Sequence, residues 1–262
     1  DGFTVTRGSS IGGGGMANWN CSLTVAHCVF RENVADAGGA MSNYRSDVHI
    51  SDCLFLDNSG MSAGGAVYNG GYTSSVLERC VFEGNSASSD GGAVASCGEE
   101  TVLTSCVFSQ NRARQSGGAL WNQYGPAMLM NCLFTANAVY SENGREAYGG
   151  AVGNGSGASL ELVNCGFSGN VSSRRGGALS NQEDARASLK NCIVWGNNAP
   201  DGAGIWNAAL AGTLASFSCV QGGYEGAGNI AEDPLFADTA AGDYRLRPGS
   251  PCVDTGTLDG AP

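Results

Sequence analysis

The chain has 262 residues, a formal net charge of −11 and a sequence pI of about 4.5. This acidic balance disfavours nucleic acid and anionic membrane surfaces as partners, because their negative charge repels the chain. No apolar run approaches the length of a transmembrane helix, and no signal-peptide pattern is found.

A repeated unit of about 26 residues, a period typical of solenoids, organises nearly the whole chain. Gly-Gly-Ala begins at Gly38, Gly64, Gly91, Gly117, Gly149 and Gly176, with degenerate copies at Gly13 and Gly202. Cys-x-Phe begins at Cys28, Cys53, Cys80, Cys106, Cys132 and Cys165, with relaxed copies at Cys192 and Cys219. An asparagine follows these cysteines at a fixed distance, at Asn33, Asn58, Asn85, Asn111, Asn137, Asn170 and Asn197.

Each unit holds three short apolar runs, and none is long enough for a stable helix. In one copy Val48 and Ile50 share a face of the second run, while Cys53 and Phe55 share a face of the third. We therefore predict three strands of about 4–5 residues in each coil. Propeller blades need about 40–50 residues, and leucine-rich repeats have a different spacing. The predicted fold class is all-β, a parallel β-helix of about eight coils.

Stacking in register places identical residues of neighbouring coils about 4.8 Å apart along the axis. The phenylalanines then form an inner column of stacked rings. The asparagines form a column at a corner, where their amides bond along the stack and where we expect them to adopt a left-handed backbone. Gly-Gly before the first strand permits a tight corner with positive φ.

Eight of the 11 cysteines occupy one inward column, so we interpret them as small buried hydrophobic residues. In-register neighbours have parallel Cβ vectors, which is poor disulfide geometry. Cys21, Cys97 and Cys252 lie off the column. Cys21 and Cys97 are separated by about 14 Å along the axis, too far for a bridge. Because the cysteine count is odd, at least one thiol is free or pairs with another chain.

The first coil is incomplete, with Gly8 in place of the corner Asn, Val5 in place of Phe and Phe3 in place of Cys. We expect an open strand edge at this end, with either further residues upstream or a docked partner.

The period is interrupted between Cys132 and Cys165, where Ala138 to Tyr148 form a surplus. Arginines of neighbouring coils fall on the same edge, and outward aromatic residues follow several Gly-Gly-Ala runs. This edge is either a solvated loop with surface ion pairs or a binding site for a ligand or partner. The candidate binding edge comprises Arg112, Arg114, Arg145, Arg174, Arg175, Tyr68, Trp121 and Trp206.

After Cys219 the repeat dissolves into a segment rich in Pro and Gly, which forbid another regular central strand. We predict β-helix coils over residues 1–221 and a C-terminal cap over residues 222–262. Cys252 then lies near Cys219, and these two form the best candidate for an intrachain disulfide.

The residue between Cys and Phe should face solvent, yet it is apolar in most coils. A contiguous apolar stripe usually marks an interface, although a terminal segment of the same chain could also cover it. The candidate assembly stripe comprises Val29, Leu54, Val81, Val107, Leu133, Ile193 and Val220.

Gly64-Gly65-Ala66-Val67 with Phe82-Glu83-Gly84-Asn85 resembles the repeats of chlamydial polymorphic membrane proteins, which are surface autotransporter adhesins. The opening Asp1-Gly2-Phe3 and the tail around Asp233-Pro234-Leu235-Phe236 resemble secreted right-handed β-helix proteins. The resemblance covers about residues 1–256 and implies right-handed coiling, a secreted or cell-surface location and a recognition or structural role. It transfers no site, because these repeats are scaffold.

Parallel β-helices also include polysaccharide hydrolases and lyases, so catalysis must be weighed. The chain has neither the Asp-Asp nor the Gly-His-Gly of the pectin hydrolases, and its two histidines stand in Ala26-His27-Cys28 and Val48-His49-Ile50. No strand face gathers the several acidic residues that a calcium-dependent lyase requires. We predict no catalytic residues, no metal site and no cofactor.

Two functions remain open. The first is a secreted or cell-surface structural and adhesive β-solenoid that associates with itself, with filaments as one outcome. The alternative is a β-helix that binds or acts on a carbohydrate, with aromatic residues as stacking platforms. Three sequons, at Asn20, Asn154 and Asn170, permit glycosylation in such a setting.

Overall fold

A computed structural model describes residues 1–141 and 146–258, and it is all β within these ranges. The chain winds into a solenoid of about eight coils at the predicted spacing, built from parallel stacked sheets. The predicted fold class is therefore confirmed.

Four parallel sheets run along the solenoid. Sheet A contains β1 (Thr4–Thr6), β5 (Val29–Arg31), β9 (Leu54–Leu56), β13 (Val81–Glu83), β17 (Val107–Ser109), β21 (Leu133–Thr135), β25 (Gly166–Ser168), β29 (Ile193–Trp195) and β32 (Cys219–Val220). Sheet B contains β2 (Ser9–Gly12), β6 (Val34–Ala37), β10 (Ser59–Gly60), β14 (Ser86–Ala87), β18 (Arg112–Ala113), β22 (Ala138–Val139) and β26 (Val171–Ser172). Sheet C contains β3 (Met16–Trp19), β7 (Met41–Tyr44), β11 (Val67–Gly70), β15 (Val94–Cys97), β19 (Leu120–Gln123), β23 (Val152–Gly155), β27 (Leu179–Asn181) and β30 (Ile205–Asn207). Sheet D contains β4 (Ser22–Ala26), β8 (Asp47–Ser51), β12 (Ser74–Glu78), β16 (Thr101–Thr104), β20 (Pro126–Met130), β24 (Ser159–Val163), β28 (Arg186–Lys190) and β31 (Gly212–Ser216). An antiparallel hairpin, β33 (Phe236–Asp238) and β34 (Asp243–Leu246), follows them.

Most coils hold four strands, so the prediction of three strands per coil was wrong. The missed strands are those of sheet B, which are mostly two residues long and directly follow the corner asparagine. Segments such as Ser59–Gly60 and Arg112–Ala113 show no apolar alternation, and alternation was the signal used to find strands. Their pairing comes from neighbouring coils, which sequence periodicity does not report.

The phenylalanine column forms the centre of the core, as predicted. Consecutive rings from Phe30 to Phe167 are parallel within 6°, with centroids 4.7–5.1 Å apart. Val5 continues the column at one end, where it pairs in register with Phe30, as expected for the first coil. Identical side chains therefore stack along the axis because the strands pair without slippage.

The corner asparagines form a buried hydrogen-bonded ladder. Asn58, for example, donates from Nδ2 to Oδ1 of Asn85 at 3.0 Å and to the carbonyl of Phe30 at 2.9 Å. The left-handed backbone, however, belongs to the residue before each asparagine, such as Glu32 with φ 55° or Gln110 with φ 57°. The predicted ladder is confirmed, but the predicted left-handed conformation of the asparagines was wrong.

A second asparagine ladder lies inside sheet C, and the sequence analysis missed it. Its members occupy the sixth position of the Gly-Gly-Ala run, which is a signal in the sequence: Asn18, Asn43, Asn69, Asn122, Asn154, Asn181 and Asn207. Ser96 stands at this position in one coil and pairs with Asn69 and Asn122. Its hydroxyl bonds Thr101 at 2.6 Å, so Oδ1 of Asn122 has no partner among the described residues.

Ser96→Asn should therefore stabilise the protein. The new amide can donate to Asn122 Oδ1 and accept from Asn69, so we expect the free energy of unfolding to rise by about 1 kcal/mol. Urea denaturation of the wild type and the variant measures this change. Ser188→Asn, at an exposed position of sheet D, is the matched control and should change little. An equal effect of both substitutions would contradict the ladder argument.

The first glycine of each Gly-Gly-Ala run makes the tight corner before sheet C, with φ between 63° and 66° in all eight copies. The second glycine is required by close packing between coils. A Cβ at Gly118 would lie 2.1 Å from the carbonyl oxygen of Gly150. Both positions therefore exclude side chains, as the sequence analysis predicted for the corner.

Candidate functional site

The C-terminal segment runs back along the outer face of sheet A. Ile230 first adds to the last coil by bridging Cys219. Thr239 to Gly242 and Tyr244 then share a groove with Val107 and Leu133, and Asn191 exchanges hydrogen bonds of 2.8 and 2.9 Å with Thr257. The middle of the candidate assembly stripe therefore faces the chain's own tail.

The last coil also shifts the register of the stripe. Ile193 pairs with Cys219, and Val194 pairs with Val220. Val220 thus continues the phenylalanine column and is only 2% exposed, so its predicted place in the stripe was wrong. Ser218 takes the cysteine position, where its hydroxyl accepts the hydrogen bond from the Cys192 amide. Of the stripe residues, Leu54 is clearly exposed, at 39%.

The inward cysteine column therefore has seven members, Cys28, Cys53, Cys80, Cys106, Cys132, Cys165 and Cys192, and all are buried and free. Cys106 donates to the carbonyl oxygens of Leu77 and Thr104 at 3.4 and 3.5 Å. The hydrogen bond with the Cys106 thiol, reinforced by burial, raises the pKa of Cys80 to about 12. The Cys80 thiol is therefore unreactive at neutral pH, and the complete burial of the column supports its interpretation as packing residues.

The predicted disulfide between Cys219 and Cys252 is absent, because both are free thiols. They do interact, as their proximity suggested. Burial, together with the hydrogen bond to the Cys252 thiol, raises the pKa of Cys219 to about 12. The Cys219 thiol donates to the carbonyl oxygen of Glu232 at 3.2 Å, which helps to hold the tail.

The interruption after Asn137 builds a charged and aromatic cluster beside sheet C, which we call the Tyr148 cluster: Glu146, Tyr148, Arg174, Arg175, Asp201 and Trp206. Ala138 and Val139 still pair regularly as β22, so the surplus begins after them. Glu146 pairs with Arg174 at 3.0 Å and with Arg175 at 2.8 Å. The Arg175 guanidinium carbon lies 4.9 Å from the Trp206 ring centre and 5.6 Å from that of Tyr148.

The structure brings together only part of the candidate binding edge. Arg174, Arg175 and Trp206 meet in the Tyr148 cluster, whereas Arg145 lies outside the described residues. Arg112 and Arg114 are exposed on earlier coils, and Tyr68 lies two strands before Trp121 in sheet C. Trp121 was expected to face solvent but is only 7% exposed. Its ring lies flat over the next coil, where Gly153 and Gly155 leave space that a Cβ would fill.

Two of the three predicted glycosylation sites are inaccessible. Asn154 and Asn170 are fully buried, and each amide donates within an asparagine ladder. Their prediction was wrong because the sequon pattern contains no information on burial. Asn20 is exposed.

The outer face of sheet D is a flat surface that the sequence analysis overlooked. Its central column reads Thr24, His49, Val76, Val102, Met128, Glu161, Ser188 and Leu214. Two shallow grooves open on it, one around Asp47 and His49 and one around Met128 and Arg186. The alternation of polar and apolar residues in runs such as Asp47–Ser51 carried this signal in the sequence. Outward residues had been predicted only for the Cys-x-Phe and Gly-Gly-Ala runs.

Each of the two histidines lies beside a single carboxylate on the surface. His27 lies 3.0 Å from Asp1, and His49 Nε2 lies 3.4 Å from Glu78. Within residues 1–141 and 146–258, no group of three or more His, Cys, Asp or Glu side chains is placed to hold a metal ion. The same ranges contain no helix that is long and apolar enough to cross a membrane.

Residues 79–96 and 105–123 match the family model described as the Chlamydia polymorphic membrane protein repeat. These two segments are similar to that repeat. Comparison with curated proteins and with solved structures returned no match. The chain is thus a β-solenoid whose repeats resemble those of a surface-associated protein family, as the motifs indicated.

The matched polymorphic membrane protein repeats contain scaffold positions of the fold. They include Cys80, Phe82 and Asn85 of the inner columns and Gly91 and Gly117 of the tight corners. The Tyr148 cluster and most of the sheet D face lie outside the matched residues. The family resemblance therefore supports the scaffold and the surface association, and the lateral surfaces must be interpreted from their own chemistry.

Proposed function

We propose that the chain is a structural and adhesive β-solenoid of the cell surface, without catalytic activity, that associates with itself through the outer face of sheet D. The resemblance to polymorphic membrane protein repeats supports the surface setting. The observation that carries self-association is the uncovered face of sheet D, with an apolar centre and opposite charges towards its two ends. Because its centre is apolar and its grooves are shallow, this face suits a flat partner.

A second copy is the partner whose charges fit. A two-fold axis parallel to the strands, between β16 and β20, would place β8 of one copy opposite β28 of the other. Asp47 would then face Arg186 of the second copy, and symmetry would make the same pair twice. Among the described residues neither Asp47 nor Arg186 has an ion pair within its own chain. At the centre Val102 would pack on Met128.

The size of the face supports a weak, reversible dimer. Eight strands spaced about 4.8 Å apart, most of them five residues long and thus about 17 Å in extent, give roughly 600 Å² per copy. The total of roughly 1,200 Å² lies at the lower end of specific interfaces. In this arrangement the carboxylate of Glu161 would face the apolar side chain of Val76, which weakens association. We therefore expect a dissociation constant near the micromolar range.

Sedimentation velocity across a concentration series, in about 0.15 M salt, tests the proposal. We expect dimers, with Asp47→Arg and Arg186→Asp each weakening association by about tenfold because like charges then face each other. The double variant should restore dimerisation, since it exchanges the two charges. Asp36→Arg, at an exposed position of sheet B, is the matched control.

Leu54→Asp separates this proposal from association through the sheet A stripe. We expect it to leave the dimer unchanged. A chain that stays monomeric at all concentrations, or a dimer that responds to Leu54→Asp and ignores both charge reversals, would refute self-association through sheet D.

A further inference from the structure

Ser180 is a buried polar residue on the outer side of sheet C with no partner for its hydroxyl. Its two neighbours along β27, Leu179 and Asn181, point into the core, and the Asn181 amide is bonded within the second ladder. Ser180 is 0% exposed, and its Oγ has no hydrogen-bond partner among the described residues. Most buried hydroxyls are hydrogen-bonded. A polar group of a bound ligand would supply the partner that the Ser180 hydroxyl lacks.

The rings of the Tyr148 cluster flank the strand of this hydroxyl, since Trp206 pairs in register with Ser180. Tyr148 belongs to the coil before Ser180 and Trp206 to the coil after it, yet their ring centres are only 5.5 Å apart. The two rings therefore meet above the coil of Ser180, and Arg175 covers both. Trp206 lies in β30, the last strand of sheet C, so no further strand of that sheet restrains its ring.

The hydrogen-bonding groups beside the rings are charged, but their charges cancel. Arg174 and Arg175 are balanced by Glu146 and by Asp201, whose Oδ2 lies 3.7 Å from Arg175 Nε. A groove lined by Ser173, Arg174, Arg175, Pro200 and Asp201 opens beside them. The balanced local charge, together with the net charge of −11, disfavours an anionic ligand.

We propose that Tyr148, Trp206 and Ser180 bind a pyranose ring of a neutral polysaccharide. An aromatic ring stacks on the apolar face of the sugar, a sugar hydroxyl bonds the Ser180 hydroxyl once the two rings separate, and Glu146, Asp201 and the arginines bond the remaining hydroxyls. The inference deepens the proposed adhesive role by naming the chemical class of the ligand. It uses a surface separate from sheet D.

Isothermal titration calorimetry with neutral maltohexaose and cellohexaose, and with anionic hexagalacturonate, tests the site on the whole chain. We expect a neutral hexasaccharide to bind with a dissociation constant in the millimolar range, about 1 mM. Trp206→Ala should weaken binding by about tenfold, and Ser180→Ala by about threefold to tenfold. Trp19→Ala is the matched control, because Trp19 also stacks on a tyrosine, at 4.5 Å from Tyr44, on a distant coil.

Circular dichroism and sedimentation of each variant exclude unfolding as the cause of a loss. The proposal fails if neither neutral hexasaccharide binds at about 10 mM, or if Trp206→Ala behaves like Trp19→Ala. It also fails if Ser180→Ala retains full affinity, or if hexagalacturonate alone binds. Trp206→Ala should change the calorimetry alone and Arg186→Asp the sedimentation alone, because the Tyr148 cluster lies beside sheet C and Arg186 lies in sheet D. Failure of the saccharide site and failure of sheet D association are therefore separable.

Discussion

Phe108→Ala should lower the free energy of unfolding by about 3–5 kcal/mol. The Phe108 ring is fully buried and stacks on Phe82 and Phe134 with centroids 4.7 Å apart on both sides. Alanine removes apolar area and leaves a cavity between two rings that the paired strands hold apart, so the column cannot collapse to fill it. Urea denaturation followed by far-UV circular dichroism measures the loss.

Tyr140→Ala is the matched control for this prediction. It also truncates an aromatic side chain, but Tyr140 is 52% exposed. We expect its effect to stay within about 0.5 kcal/mol, as for most surface substitutions. A comparable effect of the two substitutions would show that the phenylalanine column does not dominate the stability of the core.

Asn111→Ala should cost nearly as much, about 3 kcal/mol, although it removes a polar side chain. Asn111 accepts from the amide and the Nδ2 of Asn85 at 3.0 Å, and it donates to Phe82 O and Asn137 Oδ1 at 2.9 Å. All these groups are shielded from water. The substitution therefore leaves several of them without a partner in the interior. The same denaturation experiment measures the cost.

Asn164→Gly provides the control for the ladder. Asn164 also bonds asparagines of the coils before and after it, Asn131 and Asn191, both at 3.1 Å, but this ladder is partly exposed. Glycine retains its left-handed backbone at φ 55°. Water can replace the lost bonds, so we expect a loss below about 1 kcal/mol. Equal losses for the two asparagines would mean that burial does not set the strength of the ladder.

The scaffold was predictable because each of its columns repeats in the sequence. Phe, Asn and the first Gly recur at a fixed period, and in-register stacking converts that period directly into contacts between coils. The short strands of sheet B and the second asparagine ladder were missed for different reasons. The strands of sheet B have no apolar alternation. The ladder does have a repeated Asn, at the sixth position of the Gly-Gly-Ala run. The register shift at Cys219 arises where the repeat ends and the period no longer constrains the pairing.

The candidate sites were predicted less well, because they depend on side chains that do not repeat. Trp121 occupies an outward position but is buried, since Gly153 on the next coil lets the ring lie flat. Asn154 and Asn170 lie in sequons, yet their side-chain amides are hydrogen-bonded to asparagines of the neighbouring coils. The middle of the assembly stripe faces a tail that has no repeat to reveal its path, and Val220 lies in the core instead.

The sequence by itself determined the solenoid, its period, its inner columns and its tight corners, because these follow from local alternation and from residues that return at constant spacing. Only the tertiary structure decided which lateral surface stays open. It placed the tail along sheet A, left the face of sheet D uncovered, and brought Tyr148 and Trp206 together beside the coil of Ser180. These contacts join segments whose separation follows no period, so they depend on how the chain packs in three dimensions.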